Sequence, residues 1–304
     1  MSSNGGPVPT MLTASGVPSR ARAVSCSSEE AIYGKSISAD AVRQSRILAI
    51  VPRFFVPATH VTGDRCFVGP PDARHIALSL RMRVGELLSV ADDSGIEHDV
   101  RVENVERDRV EGLVVASRPV RSEPTLRVHM VQSLPRQGMD DAVDAMTQGG
   151  AAAIWPVTSD RSVARPDAAR IAKRTDRWRS IAREAAGLAY RGFPPEIAGL
   201  GDLRETLAAL PEDTRILACT VGGGATPLTS IDVDTGRPAA LCVGPEGGWS
   251  AADLATLAAA GAGPVHLGPR VYRSRLAGAF ACTMLLARAG DCDAAPSAFN
   301  GAAA

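Results

Sequence analysis

The sequence has little lysine, no net charge and no long apolar run. Only Lys35 and Lys173 are lysines, so arginine supplies nearly all of the 33 cationic side chains. The 33 acidic side chains cancel this charge, so net charge gives no support for a nucleic-acid partner, although a local basic face would still allow one. No stretch approaches the roughly 20 apolar residues of a membrane span. With 304 residues, 45% of them hydrophobic, the chain is sufficient for one large or two ordinary globular domains.

Paired cysteines are also missing. No two of the six cysteines form a C-x-x-C motif, so we expect neither a zinc site nor a redox motif, and no bound metal. Three of them stand in apolar runs, where a free thiol behaves as a small hydrophobic side chain. This usage is typical of a reduced, cytoplasmic protein. The six are Cys26, Cys66, Cys219, Cys242, Cys282 and Cys292.

Residues 1–50 differ in composition from the rest of the chain. They are rich in Ser, Gly, Pro and Ala, and Tyr33 is their only aromatic residue. Such a segment buries too little apolar surface to offset its ordering entropy, which predicts a disordered N-terminal extension. It has no long apolar region of the kind found in secretory signals. A transit peptide, to which it bears a weak likeness, and a natural start at Val51 are alternatives.

Residues 51–120 are predicted to form a small, mostly antiparallel barrel. Short strand-like runs follow one another, and turn signals such as Asp93-Ser94-Gly95 separate them. One helix is expected between strands 65–68 and 87–92, because apolar residues recur along residues 72–81. The predicted strands cover residues 51–56, 65–68, 87–92, 97–105 and 110–116.

Residues 121–290 are predicted to form an α/β domain. Strand-like and helical runs alternate here, which implies a parallel sheet with helices on both faces. The last helix has almost no polar residue between Ala277 and Ala287, so we expect it in a core or an oligomer interface. Residues 291–304 are predicted to be a flexible tail. The predicted strands are 126–134, 152–157, 215–220, 239–243 and 265–267, and the helices 139–148, 167–188, 251–260 and 276–289.

A glycine-rich loop, Gly244-Pro245-Glu246-Gly247-Gly248, follows one of these buried strands. Its glycines allow close approach of a ligand to the backbone, and ligands of open α/β sheets bind at such strand ends. Ser250 is a good N-cap for the next helix, with Asp253 at the capping-box position. The loop matches neither a Walker A nor a G-x-G-x-x-G motif, so a nucleotide-phosphate site is disfavoured.

A second strand ends in a similar loop one helix later, at Leu267-Gly268-Pro269-Arg270-Val271-Tyr272-Arg273. If the two strands are neighbours, the two loops form two walls of one pocket. Their backbone N–H and C=O groups could then read the edge of an adenine while apolar side chains hold its faces.

Together the two loops resemble those of the bacterial 16S rRNA uracil-N3 methyltransferases, a family of SPOUT enzymes. The likeness covers residues 51 to about 290. Further matches follow in family order: residues 52–56 (PRFFV), 75–85, 154–157 (IWPV), Arg161-Ser162, Arg177-Trp178, 184–186 (EAA) and Arg191.

This resemblance implies a fold, a cofactor and a set of site residues. The fold is a PUA-like β-barrel that binds rRNA, followed by a SPOUT domain with a trefoil knot, in an obligate homodimer. The cofactor is S-adenosylmethionine, and the reaction is methylation of a uridine at N3 in 16S rRNA of the small ribosomal subunit. Arg161 and Arg273 are the catalytic candidates, and Arg53, Arg81 and Arg191 the RNA-binding ones. The cofactor candidates are Gly222, Gly244, Pro245, Glu246, Gly247, Gly248, Leu267, Gly268, Arg270, Val271 and Tyr272.

The sequence departs from the family pattern around the expected acceptor. Leu188 stands where the family has Gln, and Arg275-Leu276 where it has Glu-Thr. The resemblance therefore supports the cofactor more strongly than the acceptor. Two alternatives stay open: a diverged methyltransferase that acts on a small molecule in specialised metabolism, and a non-catalytic RNA-binding relative.

Overall fold

The computed structural model describes residues 52–162 and 168–293. The predicted N-terminal extension lies outside these residues, as do residues 163–167 and all of the predicted tail after residue 293. No helix of the described part is long and apolar enough to cross a membrane.

The first part of the described chain forms a six-stranded sheet in the order β1-β4-β5-β6-β3-β2. β1 pairs with β4 in parallel, and the other four pairings are antiparallel, as predicted for this region. A short helix, α1 (Asp72–Arg74), continues as a π-helix over His75–Leu80 and packs on the sheet through Ala73 and Ile76. The strands are β1 (Phe54–Val56), β2 (Val61–Thr62), β3 (Arg65–Val68), β4 (Leu87–Asp92), β5 (Ile96–Val105) and β6 (Val110–Pro119).

The second sheet is parallel throughout, which confirms the predicted α/β architecture. Its order is β10-β8-β7-β13-β11-β14-β12, with β9 paired to β8. Because all strands run the same way, the loops that follow them lie along one edge. The strands are β7 (Val128–Ser133), β8 (Ala153–Thr158), β9 (Glu196–Ile197), β10 (Gly201–Asp202), β11 (Arg215–Cys219), β12 (Thr226–Pro227), β13 (Ala239–Val243) and β14 (Gly263–His266).

Helices cover both faces of this sheet, because successive strand residues point to opposite sides. In β13, Leu241 packs with α2, α3 and α6, whereas Cys242 packs with α4 and α5. Burial raises the pKa of Cys219 and of Cys282 to about 12, so these thiols stay protonated and serve as hydrophobic filler, as expected. The helices are α2 (Met139–Gln148), α3 (Ala168–Leu188), α4 (Leu203–Ala209), α5 (Ala251–Ala259) and α6 (Ser274–Arg288).

A buried polar joint connects the first sheet to the end of α3. The Arg53 guanidinium forms an ion pair with Glu97 and donates to the Tyr190 carbonyl oxygen at 2.8 Å and to that of Arg191 at 3.2 Å. The Arg53 N–H also donates to the Gly187 carbonyl oxygen at 3.0 Å. A Cβ at position 187 would collide with the Arg53 carbonyl oxygen, so the close approach requires glycine there.

The joint corrects two of the RNA-binding predictions. Arg53 and Arg191 are each only 4% exposed. Arg191 pairs with Glu123 and donates to the Thr147 and Ala151 carbonyl oxygens at 3.0 and 2.6 Å. Those carbonyls lie before β8, at the edge of the sheet opposite to the loops. Both guanidinium groups are therefore structural, and a phosphate cannot reach them in this conformation. Arg81 is exposed after the π-helix and stays a prediction.

Candidate active site

Three glycine-bearing loops lie next to one another at the carboxyl edge of the second sheet. β11 pairs with β13 on one side and with β14 on the other, so the loops that follow these strands are neighbours. The predicted loops at residues 244–248 and 267–273 follow β13 and β14. The third loop, residues 220–225, follows β11 and carries Gly222. The two predicted strands are therefore not direct neighbours, because β11 lies between them, and its loop separates the two predicted ones along the same edge.

The loop after β13 is held rigidly from beneath. The Ser274 hydroxyl, at the start of α6, donates to the Gly244 carbonyl oxygen at 2.8 Å, and the Gln132 amide donates to Ser274 Oγ at 3.3 Å. The Trp249 ring lies against Gly244, and its Nε1 donates to the Cys219 carbonyl oxygen at 3.2 Å. Ser250 caps α5 in a capping box with Asp253, as predicted. These contacts order the loop before a ligand binds.

Two arginines from neighbouring loops fix the outer part of the same loop. The backbone N–H of Arg136 lies 3.1 Å from both Glu246 carboxylate oxygens. Arg161 Nη1 donates to the Gly247 carbonyl oxygen at 2.7 Å, and its aliphatic stem packs on Gly247. Arg161 thus positions the loop. Its guanidinium is engaged with the protein rather than directed at an acceptor, which argues against the catalytic role predicted for it.

The other two loops present open space and apolar side chains. A Cβ at Gly222, Gly248 or Gly268 would meet no atom within 4 Å. Val221 and Val271, on the loops after β11 and β14, are 84% and 81% exposed. Two exposed valines on adjacent loops, beside glycines with empty surroundings, form walls that suit a flat apolar ligand.

The remaining predicted residues divide between the pocket and a neighbouring surface. Arg270 and Arg273 are exposed, and no ion pair holds either of them within the described residues. Leu267 is half-buried against the core and Pro245 is buried, so both shape the loops from below. The Tyr272 ring packs on the Phe280 ring of α6, 4.7 Å between centroids, which places it at the rim.

The structure shows what surrounds the two residues that depart from the family pattern, Arg275 and Leu188. Arg275 Nη1 lies 3.2 Å from Asp141 Oδ2, so its charge is offset by an ion pair with α2. Leu188 is the last residue of α3, at the amino edge of the sheet. Neither residue adds an uncompensated charge to the three loops.

Several side-chain contacts of this edge were not predicted. The hydroxyls of Ser133, Ser159 and Ser162 form a buried cluster, with Ser133 Oγ 2.7 Å from Ser159 Oγ and 3.0 Å from Ser162 Oγ. It ties the end of β7 to the loop after β8. Ser250 Oγ donates to Asp160 Oδ2 at 2.7 Å, which joins that loop to the start of α5. In the sequence, only the position of small polar residues at predicted strand ends indicates these contacts.

A cavity of the described part lies beside the three loops rather than within them. It has a volume of about 540 Å³ and is lined by polar residues that follow β8 and β10 or begin α5, among them Asp160, Asp202 and Asp253. The glycine loops themselves form an open cleft. The backbone geometry of the loops, rather than this cavity, therefore marks the candidate ligand site.

Fold and site together define an α/β protein with a ligand site at the carboxyl edge of a parallel sheet, and comparison with known proteins identifies the class. Residues 121–286 match the family described as RNA methyltransferase domain. The ribosomal RNA small subunit methyltransferase E of Mycobacterium bovis is 31% identical over 241 residues, which cover 75% of this chain and 88% of that protein. The enzyme of the same name from Bacillus subtilis is 24% identical and covers 75% of this chain and 90% of that protein.

A solved structure extends the likeness to the fold. The ribosomal RNA small subunit methyltransferase E of Neisseria gonorrhoeae, bound to S-adenosyl methionine, superposes with a TM-score of 0.68 at 28% identity and covers 79% of this chain and 96% of that one. The chain belongs to the RNA methyltransferase family, as its two loop motifs predict.

Replacing Ser274 with alanine tests how the first loop is held. Ser274→Ala removes the hydrogen bond to the Gly244 carbonyl, which contributes on the order of 1 kcal/mol. We expect the affinity for S-adenosylmethionine to fall about fivefold, measured by isothermal titration calorimetry. Ser79→Ala, at an exposed position of the π-helix His75–Leu80, is the control and should change nothing. An unchanged affinity in the Ser274 variant would show that the loop needs no support from α6.

Proposed function

We propose that this chain transfers the methyl group of S-adenosylmethionine to N3 of a uridine in 16S rRNA. The observation that carries the proposal is the trio of glycine-bearing loops at the ends of β13, β11 and β14, with Val221 and Val271 exposed on adjacent walls. The family supplies the reaction class, and the relatives named for the small-subunit rRNA supply the acceptor.

The residues present fit the cofactor. Glycines at 222, 248 and 268 leave the space that a side chain would otherwise fill, and Val221 and Val271 can hold the two faces of an adenine. Backbone groups of the loops would bind its edge. When bound, the sulfonium of S-adenosylmethionine supplies an electrophilic methyl group.

The protein's own contribution is to position the acceptor and stabilise its charge. Uracil N3 is a weakly acidic imide nitrogen that becomes a good nucleophile as its proton leaves. Arg270 and Arg273 are exposed at the rim of the cleft, where a guanidinium can stabilise the imidate and hold the adjacent phosphate. Arg161 acts indirectly, by fixing the Gly247 carbonyl. Positioning of the nitrogen in line with the methyl group supplies much of the acceleration.

The proposal extends to the finer architecture of the family. A PUA-like barrel at residues 51–120 and a SPOUT domain at residues 121–290 are consistent with two sheets that have separate cores. A trefoil knot is supported by the path of α6. This helix follows β14 at one side of the sheet, yet it packs on β7, on β13 and on the 3-10 helix Leu228–Ser230 between β11 and β13. We place the reaction in the cytoplasm, where the ribosomal subunit is found.

A homodimer is proposed from the apolar outer face of α6. The helix is apolar almost all round, but only one side is buried against the sheet. Phe280 is 46% and Leu276 37% exposed, and Val271 and Tyr272 extend the same surface toward the cleft. A second copy of the chain would cover this face, in agreement with the interface alternative predicted from the sequence.

Phe280→Asp is expected to convert the dimer into a monomer, because it places a charge in the centre of an apolar interface. Sedimentation velocity at micromolar concentration measures the change. The control is Leu254→Asp on α5, where a similarly exposed leucine lies outside the proposed interface. A wild-type protein that sediments as a monomer would contradict the proposal.

The function is tested by digesting 16S rRNA from a deletion strain and analysing its nucleosides by mass spectrometry. We expect N3-methyluridine to disappear and to return when the wild-type chain is supplied. If the nucleoside persists in a strain with no second copy of the enzyme, the rRNA assignment is wrong. If the purified chain does not bind S-adenosylmethionine, a non-catalytic role is favoured instead.

A further inference from the structure

The first half of α3 carries three cations on one flank. Thr175, Trp178 and Ala182 define its buried side. At 100° per residue, Lys173, Arg174 and Arg177 lie within one arc of about 100°, and Arg177 contacts α2 through Asp140. All three are exposed, and within the described residues Lys173 and Arg174 take part in no ion pair or hydrogen bond. We call these three residues the α3 basic flank.

The like charges of this flank lower the stability of the protein when no RNA is bound. Like charges three and four positions apart on a helix destabilise it by a few tenths of a kcal/mol per pair, and Arg177 has this spacing to both of the others. Asp140 of α2 is engaged: one oxygen accepts from Arg177 Nε at 2.7 Å and the other from Trp178 Nε1 at 3.1 Å. Asp176 of α3 pairs with Arg179. No carboxylate of the described part forms an ion pair with Lys173 or Arg174.

The α3 basic flank leads to the three glycine loops. Asp140 belongs to the first turn of α2, which begins directly after the loop that follows β7. The next residue, Asp141, pairs with Arg275 at the start of α6, and Arg136 of the same loop donates its N–H to Glu246. Arginines from α3, from the loop after β7 and from α6 thus lie in elements linked by these contacts to the cofactor loop.

We propose that the α3 basic flank binds the phosphate backbone of the RNA strand that delivers the target uridine, on the basis of the proposed function. A row of cations, two of which have no acidic partner within the described residues, matches the charge of a nucleic-acid backbone, and such contacts fix the register of the strand without reading its sequence. The row replaces Arg53 and Arg191, whose burial removes them from the RNA surface. The target base itself is bound by the three glycine loops and not by the flank.

The test compares two doubly substituted proteins of equal charge. Lys173→Glu/Arg174→Glu reverses the flank, and Arg179→Glu/Arg204→Glu reverses two exposed arginines elsewhere, the first on the other side of α3 and the second on α4. Fluorescence anisotropy with a 16S rRNA fragment gives the affinity at several salt concentrations. Isothermal titration with S-adenosylmethionine and circular dichroism are run on the same preparations.

We expect the flank variant to bind RNA at least tenfold more weakly, with a slope of log K against log salt lower by about 1.4, since two phosphate contacts are lost. Its affinity for S-adenosylmethionine and its fold should match the wild type, and the control should stay within twofold. Equal losses in both variants, or none in the flank variant, would overturn the proposal. A wild-type protein that binds the fragment but methylates no rRNA would refute the proposed function, while the binding comparison would still decide the role of the flank.

Discussion

Gly222→Leu is expected to abolish binding of S-adenosylmethionine without unfolding the protein. The position has empty space where a side chain would start, and its backbone does not adopt the positive φ that disfavours other residues. A leucine would fill the volume that we assign to the cofactor. We expect a loss of roughly 100-fold or more in affinity, or about 2.7 kcal/mol, in isothermal titration.

The matched control for this substitution is Gly199→Leu. Gly199 also has nothing within 4 Å of its Cβ position and no positive φ, but it lies in the loop before β10. Both variants should melt within a few degrees of the wild type. If Gly222→Leu binds the cofactor normally, the loop after β11 is not a wall of the site. If both variants lose binding, the effect is not local.

Arg53→Met is expected to cause the largest loss of stability. The substitution removes a buried ion pair and two hydrogen bonds to carbonyl oxygens, and it leaves Glu97, 3% exposed, with Arg118 as its remaining partner. Breaking a buried pair on one side costs roughly 3–5 kcal/mol. For a folded unit of this size, a loss of about 3 kcal/mol corresponds to a melting temperature about 10 °C lower in calorimetry.

An exposed ion pair provides the comparison. Arg65 pairs with Glu103 on the first sheet, where the side chains are 64% and 41% exposed. Exposed pairs contribute roughly 0–1 kcal/mol, so Arg65→Met should lower the melting temperature by no more than a few degrees. The folded fraction of Arg53→Met should still bind RNA with wild-type affinity. A stable Arg53→Met that binds RNA poorly would restore Arg53 as an RNA-binding residue.

The elements with a strong periodic pattern were predictable from the sequence. The helix Met139–Gln148 and the strands Arg65–Val68 and Ala239–Val243 have the predicted bounds, because continuous hydrophobic patterns end at clear turn signals. The helix Leu203–Ala209 was missed, since seven residues are too few for a periodic signal and its Asp202 cap resembles an ordinary turn. The two-residue strands β2, β9, β10 and β12 were missed for the same reason.

The site was predictable where glycines and chain order define it, and less so where long side chains do. Two strand ends with Gly-Pro loops indicated neighbouring walls of one pocket, and the sheet order makes them neighbours of a third. Arginine roles could not be read in this way. Arg53 and Arg161 both stand beside matched motifs, but only tertiary contacts reveal that one is buried in a joint and the other holds a carbonyl.

The contacts of Arg53 determine how short a fragment of this chain can be if it is to keep the hydrogen bonds at the end of α3. The family match begins at residue 121, yet the end of α3 receives its donors from residue 53. A fragment cut at the family boundary would leave the carbonyls of Gly187, Tyr190 and Arg191 without those partners and would uncover the glycine against which the Arg53 backbone packs. Arg53, directly before the first strand of the first sheet, thus also binds the carbonyl groups at the end of α3, which packs on the second sheet.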